Sequence, residues 1–227
     1  MRACLVALFL AVMTSGCVVV VLGDSNSCMW ADTGCAVRDS GAWPTYMTSR
    51  DDWPLWTVKN RALPSMTAGN YGGMLTNGEP SWGKWHLERL IRDDLADACT
   101  PIDALFGPIV VRRKLVIALG TNDLPPRNTP TGAGLAVRAL YDRAIQVPCV
   151  DVYVATVPPR WGVAHSDVDQ VNALIRMRVP ANRIVPFGDV PIEDLLPESP
   201  HFTVAGQEHR AALAFAALWP APPDVGP

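Results

Sequence analysis

Residues 18–23 read Val-Val-Val-Val-Leu-Gly, and the run stops at Asp24-Ser25-Asn26-Ser27. A stretch this short and this rich in β-branched side chains, without polar alternation, suits a strand buried on both faces, as inside a parallel sheet. That assignment constrains the rest of the chain, because parallel neighbours need crossover connections that cover the sheet on both sides. It also gives the polar tip a special place, since open parallel sheets bind ligands beyond the carboxyl ends of their strands. Asp24, Ser25 and Asn26 fall there, and Ser25 is a candidate nucleophile. Taken alone, Gly-Asp-Ser also reads as an ordinary turn, because these residue types favour turns.

The remaining chain alternates as a parallel sheet requires. Strands are expected at 55–59, 115–119, 150–157 and 183–187, and helices at 81–99, 134–147, 166–179 and 203–218. In the helix at 81–99, Ser81 is the expected N-cap, Trp82, Trp85, Ile91, Leu95 and Ala98 the inward positions, and Glu88, Arg92 and Asp93 the outward ones. The helix at 166–179 opens with a Ser-x-x-Asp capping pattern at Ser166 and Asp169. Residues 31–54, with Trp43 and Trp53, read as an irregular insertion beside the nucleophile, its tryptophans either a small core of its own or the lining of a site. With right-handed crossovers the expectation is one α/β domain over 17–219, a doubly wound five-stranded parallel sheet in a three-layer α/β/α arrangement of flavodoxin-like order. An apolar segment at 1–16 precedes it and a Pro-rich tail at 220–227 follows.

Two later stretches keep company with the first. Leu115-Val116-Ile117-Ala118-Leu119-Gly120-Thr121-Asn122-Asp123 is a second apolar strand with a polar tip, and Glu198-Ser199-Pro200-His201-Phe202-Thr203 places an acid three residues before a histidine ahead of the last helix. In that order, and over nearly the whole chain, these blocks resemble the SGNH, or GDSL-type, serine hydrolase family, and within it the bacterial arylesterases and acyltransferases. The resemblance implies that Ser25 attacks a carboxylic ester of short acyl chain, that His201 takes its proton, and that Glu198 orients the imidazole. It further implies an oxyanion hole from the backbone N–H groups of Ser25 and Ser65 and the side chain of Asn122.

Two positions depart from the family. Its orienting acid is usually aspartate, and the second oxyanion donor is usually glycine; aligning Thr67 with the family's threonine puts Ser65 there, with Gly69 as the alternative in a longer loop. A main-chain donor tolerates a serine so long as its φ and ψ are not those reserved for glycine. Asp24, Asn26 and Trp30 are the candidate substrate contacts. His209 is the competing histidine, His86 reads as a surface or boundary residue, His165 as a loop residue, and Asp189 and Asp194 are other acids that would hold His201 if Glu198 were only solvated. Neither a metal nor an organic cofactor is needed. A carbohydrate O-acetylesterase using the same machinery and a non-catalytic glycan-binding module on the same fold are the alternative functions.

Charge and composition narrow the partners. A net charge of −3 with interspersed signs provides no basic stripe, which argues against nucleic acid. Arg2 followed by the apolar run to Met13, with Thr14-Ser15-Gly16 before Cys17, reads as a signal peptide and therefore export, periplasmic or secreted; a cytoplasmic protein with an extra apolar segment is the alternative. No integral membrane span is expected, because the sheet claims residues 18–22. Beyond Cys4 and Cys17, the even set Cys28, Cys35, Cys99 and Cys149 permits three pairings, among them Cys28 with Cys35 and Cys99 with Cys149, or four buried thiols. No Cys/His spacing suggests a metal site.

Overall fold

A computed structural model describes residues 18–28, 42–51, 56–70, 78–99, 102–104, 107–109 and 112–220. Its centre is β1 (Val18–Gly23), which pairs in parallel with β2 (Thr57–Asn60) on one side and β5 (Arg113–Ala118) on the other. Beyond β5 lie β6 (Val150–Ala155) and β7 (Ile184–Val185), so the five-stranded order is β2-β1-β5-β6-β7, all parallel. The doubly wound arrangement expected from the alternation is therefore present. The strand order reverses between β1 and β5, and Gly23 stands level with Ala118, so the polar tips of these strands share one crevice.

The valine run explains the three layers. Val18, Val20 and Leu22 point into a core shared with α2 (Gly83–Asp93), α3 (Pro130–Ala144) and α4 (His165–Arg178). Val19 and Val21 point the other way, into a core with α1 (Trp43–Thr48) and α5 (Val204–Leu218). Val19, Val20, Val21 and Leu22 all have zero exposure. Burying each such side chain is worth about 1.5–3 kcal/mol, which fixes β1 as the sheet's most heavily anchored strand.

Several local expectations are corrected. α2 is shorter than 81–99 and is N-capped by Trp82 without a side-chain bond, while Ser81 uses its carbonyl to accept from Thr67 N at 2.9 Å. The inward face is Gly83, His86, Leu87 and Leu90, and Trp82 and Trp85 turn outward at 37% and 38% exposure. The cause is a close approach: a Cβ on Gly83 would lie 2.8 Å from Thr67 O, so the helix presses its glycine against the neighbouring segment and rotates the tryptophans away. His86 is accordingly buried, with Nε2 2.9 Å from Pro80 O. α4 is capped by Ala164 without a side-chain bond, so Ser166 lies inside the first turn. α3 begins earlier than 134 because Thr129 caps it, its Oγ1 accepting from Gly132 N at 3.1 Å, and Pro130 opens it.

A short antiparallel pair, β3 (Ile102–Ala104) with β4 (Gly107–Ile109), was not expected from the sequence. Trp43 belongs to the main core, edge-on to Phe187 with ring centroids 5.2 Å apart. Cys99 and Cys149 form a disulfide that ties the end of the α2 segment to the entry of β6. Cys28 is also disulfide-bonded, its partner outside the described residues, as are Trp30, Trp53, the segment 1–16 and the tail beyond Pro220. No helix among the described residues is long and apolar enough to cross a membrane.

Candidate active site

At the end of β1 the chain folds back so tightly that a Cβ on Gly23 would lie 2.4 Å from Ser27 Oγ. Asn26 N donates to Asp24 Oδ1 at 2.9 Å and Ser27 N to Asp24 O at 3.0 Å, which closes a turn with Ser25 at its apex. The turn is braced from behind by three elements. Asn60 Nδ2 donates to Ser27 O at 2.7 Å, Trp43 Nε1 to Ser27 Oγ at 3.1 Å, and Asn26 O accepts from Gln207 Nε2 at 3.4 Å and from Arg210. Asp24 and Asn26, expected as substrate contacts, are 1% and 3% exposed and serve this bracing, because their polar groups close the turn inward. Burial pushes the Asp24 carboxyl up to about 6, against the pull of the Asn26 N–H and the Arg210 charge. Burial likewise lowers the Arg210 guanidinium to about 9, although it stacks 4.2 Å over the Phe187 ring and 4.6 Å over the Phe202 ring.

His201 reaches the same point from the loop before α5. Its Nε2 lies 3.1 Å from Ser25 Oγ. Leu196 N donates to His201 O at 2.8 Å and Thr203 N to Asp194 O at 2.8 Å, while Thr203 Oγ1 caps α5 by accepting from Gly206 N at 3.1 Å. Burial, and then the charge of Arg160, hold the His201 pKa below the usual imidazole value, so the ring is neutral at pH 7 and Nε2 can accept the Ser25 proton. In that tautomer Nδ1 carries the hydrogen and donates to Ser199 Oγ at 3.2 Å; the same oxygen accepts from His201 N at 3.1 Å.

The acid expected at this position does not reach the imidazole. Glu198 is solvent-exposed with φ 56°, a left-handed conformation that turns the chain at this point, and it is the neighbouring Ser199 that meets Nδ1. The alternative acids are occupied elsewhere: Asp194 meets His209 Nδ1 at 2.9 Å and Asp189 meets Arg176 at 3.5 Å.

The residues expected to receive an oxyanion lie between β1, β2 and β5. Gly120, at φ 121°, turns the chain at the end of β5 into a short 3-10 turn over Thr121–Asp123. From it Asn122 donates Nδ2 to Met66 O at 3.1 Å, and the fully buried Asp123 accepts from Ala68 N at 2.7 Å and Gly69 N at 2.9 Å. These bonds pin the segment after β2 to the turn at the end of β5. Gly69, the alternative oxyanion donor, thus has its N–H committed to Asp123, whereas the N–H groups of Ser25 and Ser65 have no acceptor among the described residues. Ser65 adopts φ 60°, the region glycine favours; a serine there costs roughly 1–2 kcal/mol and keeps the donor.

Four contributors were not singled out from sequence. Asp123 stood beside Asn122 in the same motif, and its role as a clamp depends on a partner segment far away in the chain. Arg210 falls in the buried stripe of α5 with Gly206, Gln207, Ala211 and Ala214, a position where an arginine is itself a signal. Ser199 and Arg160 carried no spacing signal.

No protein-family model matches the sequence, and no curated protein matches it. Solved structures do. A carbohydrate acetylesterase family member from Sinorhizobium meliloti aligns at 16% identity and TM-score 0.61, over 88% of this chain and 96% of that one. The lipase/acylhydrolase from Enterococcus faecalis aligns at 15% identity and TM-score 0.59, over 88% and 94%. The psychrotrophic esterase EstA from Pseudoalteromonas, in a structure inhibited by monoethylphosphonate, aligns at 12% identity and TM-score 0.58, over 88% and 96%. Over nearly its whole described length, the chain has the fold of the GDSL-type esterases and lipolytic proteins.

Proposed function

We propose that the protein is a serine hydrolase that cleaves carboxylic esters of short acyl chain through an acyl-enzyme. The observation that carries this reading is the 3.1 Å contact between Ser25 Oγ and a neutral His201 Nε2 at the switch point of the sheet. As Ser25 Oγ attacks the ester carbon, its proton passes to Nε2 and the carbonyl oxygen becomes an oxyanion, received by Ser25 N–H, Ser65 N–H and Asn122 Nδ2. Collapse of the adduct breaks the bond to the alcohol, which leaves with the proton from Nε2. Water then repeats the sequence on the acyl-enzyme, releasing the acid and restoring Ser25; an alcohol in its place gives acyl transfer. The role expected of Glu198 passes to Ser199, whose hydroxyl holds Nδ1–H and so fixes the tautomer.

A second reading, carbohydrate O-acetylesterase, is supported by the Sinorhizobium relative and by Trp161, which is 42% exposed beside Arg160 and offers a stacking face to a sugar. A formed nucleophile–base pair argues against a non-catalytic module. Export through the segment at 1–16 is supported by the disulfide chemistry, which belongs to oxidising compartments. The test is labelling by a fluorophosphonate, turnover of p-nitrophenyl esters from acetate to palmitate, and release of acetate from acetylated glycans. Phosphonate labelling and ester turnover that both vanish in Ser25→Ala are expected, and labelling that survives the substitution overturns the assignment.

A further inference from the structure

We infer that Arg160 forms a subsite for a carboxylate carried by the ester substrate, placed between His201 and the Thr121–Asp123 turn. The inference rests on the esterase reading and names the class of ester that this site takes. Arg160 follows β6 across Pro158-Pro159, and one of its terminal nitrogens donates to Thr121 O at 2.7 Å. That bond fixes the guanidinium next to the residue that presents Asn122. It occupies only one corner of the group. Nε and the other terminal nitrogen have no partner among the described residues, and no nitrogen of Arg160 is buried without one, so this edge reaches solvent. A guanidinium edge with two parallel N–H groups is matched to a carboxylate.

Other arginines of the protein already hold such a partner. Arg61 is paired with Asp94, Arg143 with Glu88 and Arg183 with Asp151, whereas among the described residues no carboxylate lies within ion-pair distance of Arg160. The acid that feels its charge, Asp24, is buried under Ser25 and turned to Asn26 N. Burial, and then the like charge of Arg127, weaken the hold of Arg160 on its own proton, and the attraction of a bound anion would offset both.

The second line of argument is the chemistry of His201. Proton transfer from Ser25 creates an imidazolium, and triads normally stabilise it with a carboxylate. Here Nδ1 faces a neutral hydroxyl, and the cation felt by the ring is Arg160. An anion on the substrate would neutralise that cation at the moment the imidazolium forms. Such a substrate would then gain in kcat as well as in KM, which separates this arrangement from a passive binding contact.

The test uses matched esters on the full chain at low ionic strength. Mono-p-nitrophenyl glutarate against p-nitrophenyl pentanoate places the carboxylate on the acyl part, and 4-carboxyphenyl acetate against 4-methylphenyl acetate places it on the alcohol. In one of the two pairs kcat/KM is expected to favour the anionic ester by about 10- to 100-fold, the range of a hydrogen bond to a charged group. Arg160→Gln should bring that ratio to about one, with Arg160→Lys recovering part of it, in keeping with a loss of charge-assisted fork geometry. Equal or poorer turnover of the anionic ester in both pairs overturns the inference, as does a ratio unchanged in Arg160→Gln. Failure of the esterase reading looks different, with neutral esters also inert and no phosphonate labelling. In that case calorimetry on Ser25→Ala, comparing monomethyl with dimethyl glutarate, still decides: selective binding of the monoanion that Arg160→Gln removes supports the subsite, and its absence rejects it.

Discussion

The two loops that meet at Ser25 and His201 are held in opposite ways. The Ser25 turn is sealed: Asp24, Ser25, Asn26 and Ser27 are 1%, 8%, 3% and 0% exposed, and side chains from β2, α1 and α5 converge on its backbone and on Ser27 Oγ. The histidine loop is open, with Leu196, Pro197 and Glu198 exposed, and among the described residues its bonds include local ones, from Leu196 N to His201 O and from the imidazole and the His201 N–H to Ser199 Oγ. On the proposed mechanism, the bond-forming oxygen needs a fixed position relative to the oxyanion donors, and small displacements there are costly to rate. The base needs only the correct tautomer and tilt, which a local device can supply. Substitutions behind Ser25 should therefore disturb folding and rate together, and substitutions around His201 should change rate alone.

The largest expected effect comes from Ser25→Ala, which should lower kcat by about 10⁴–10⁶ with an unchanged melting temperature, since nothing in the bracing uses Oγ. Next is Asn122→Ala, expected to cost about 10²–10³ in kcat with little change in KM, as for loss of one oxyanion donor. Because its Nδ2 also holds Met66 O, this variant should lose a little stability, read as a small drop in Tm. A KM effect larger than the kcat effect would place Asn122 in ground-state binding instead.

The sealed turn has its own signature against pH. The Asp24 carboxyl titrates at about 6 folded, from a reference value of 3.8, so between those values the folded chain keeps a proton that the unfolded chain releases. Its contribution to stability is present below 3.8 and is lost as pH rises through about 6. Asp24→Asn should flatten the stability profile across that window, measured by urea unfolding at several pH values; a profile unchanged from wild type would mean that Asp24 is hydrated. In the open loop the corresponding readout is kinetic. The acid limb of kcat/KM should lie below 6.5, the reference imidazole value, because His201 is depressed by burial and then by Arg160. Arg160→Gln should move that limb upward.

The same contrast explains what was legible in the sequence. Strand β1 and its tip could be read because a fully buried run leaves no choice of face, Asn122 because it follows a strand whose end is clear, and His201 because it precedes the closing helix. The face of α2 could not, since it is set by Gly83 meeting Thr67 O, a contact between segments that periodicity does not see. The place of Arg210 in the apolar stripe of α5 was a signal, but its partners, Asn26 O and the rings of Phe187 and Phe202, lie too far away in the chain for any spacing to show. The role of the acid at 198 was implied by the family's acid-x-x-His pattern, which sets residue order but not the path of a loop whose backbone passes through φ 56°.

That loop yields the smallest and most discriminating prediction. If Ser199 Oγ sets the imidazole by accepting from both Nδ1–H and the His201 N–H, Ser199→Ala removes both bonds and should lower kcat by about tenfold, the equivalent of one neutral hydrogen bond of roughly 1.4 kcal/mol. Glu198→Gln, which keeps the shape of an exposed side chain and deletes only its charge, should stay within a few-fold of wild type, because a solvated carboxylate is screened. An orienting acid behaves otherwise: its amide replacement leaves the ring in the wrong tautomer, at a cost of about 10⁴ in other triads. Measuring kcat for both variants beside His201→Ala decides between the two arrangements. A Glu198→Gln enzyme slowed a thousandfold, with Ser199→Ala near wild type, would mean that the loop closes over the substrate and carries Glu198 to Nδ1, and the open loop would then be the half of the site that moves.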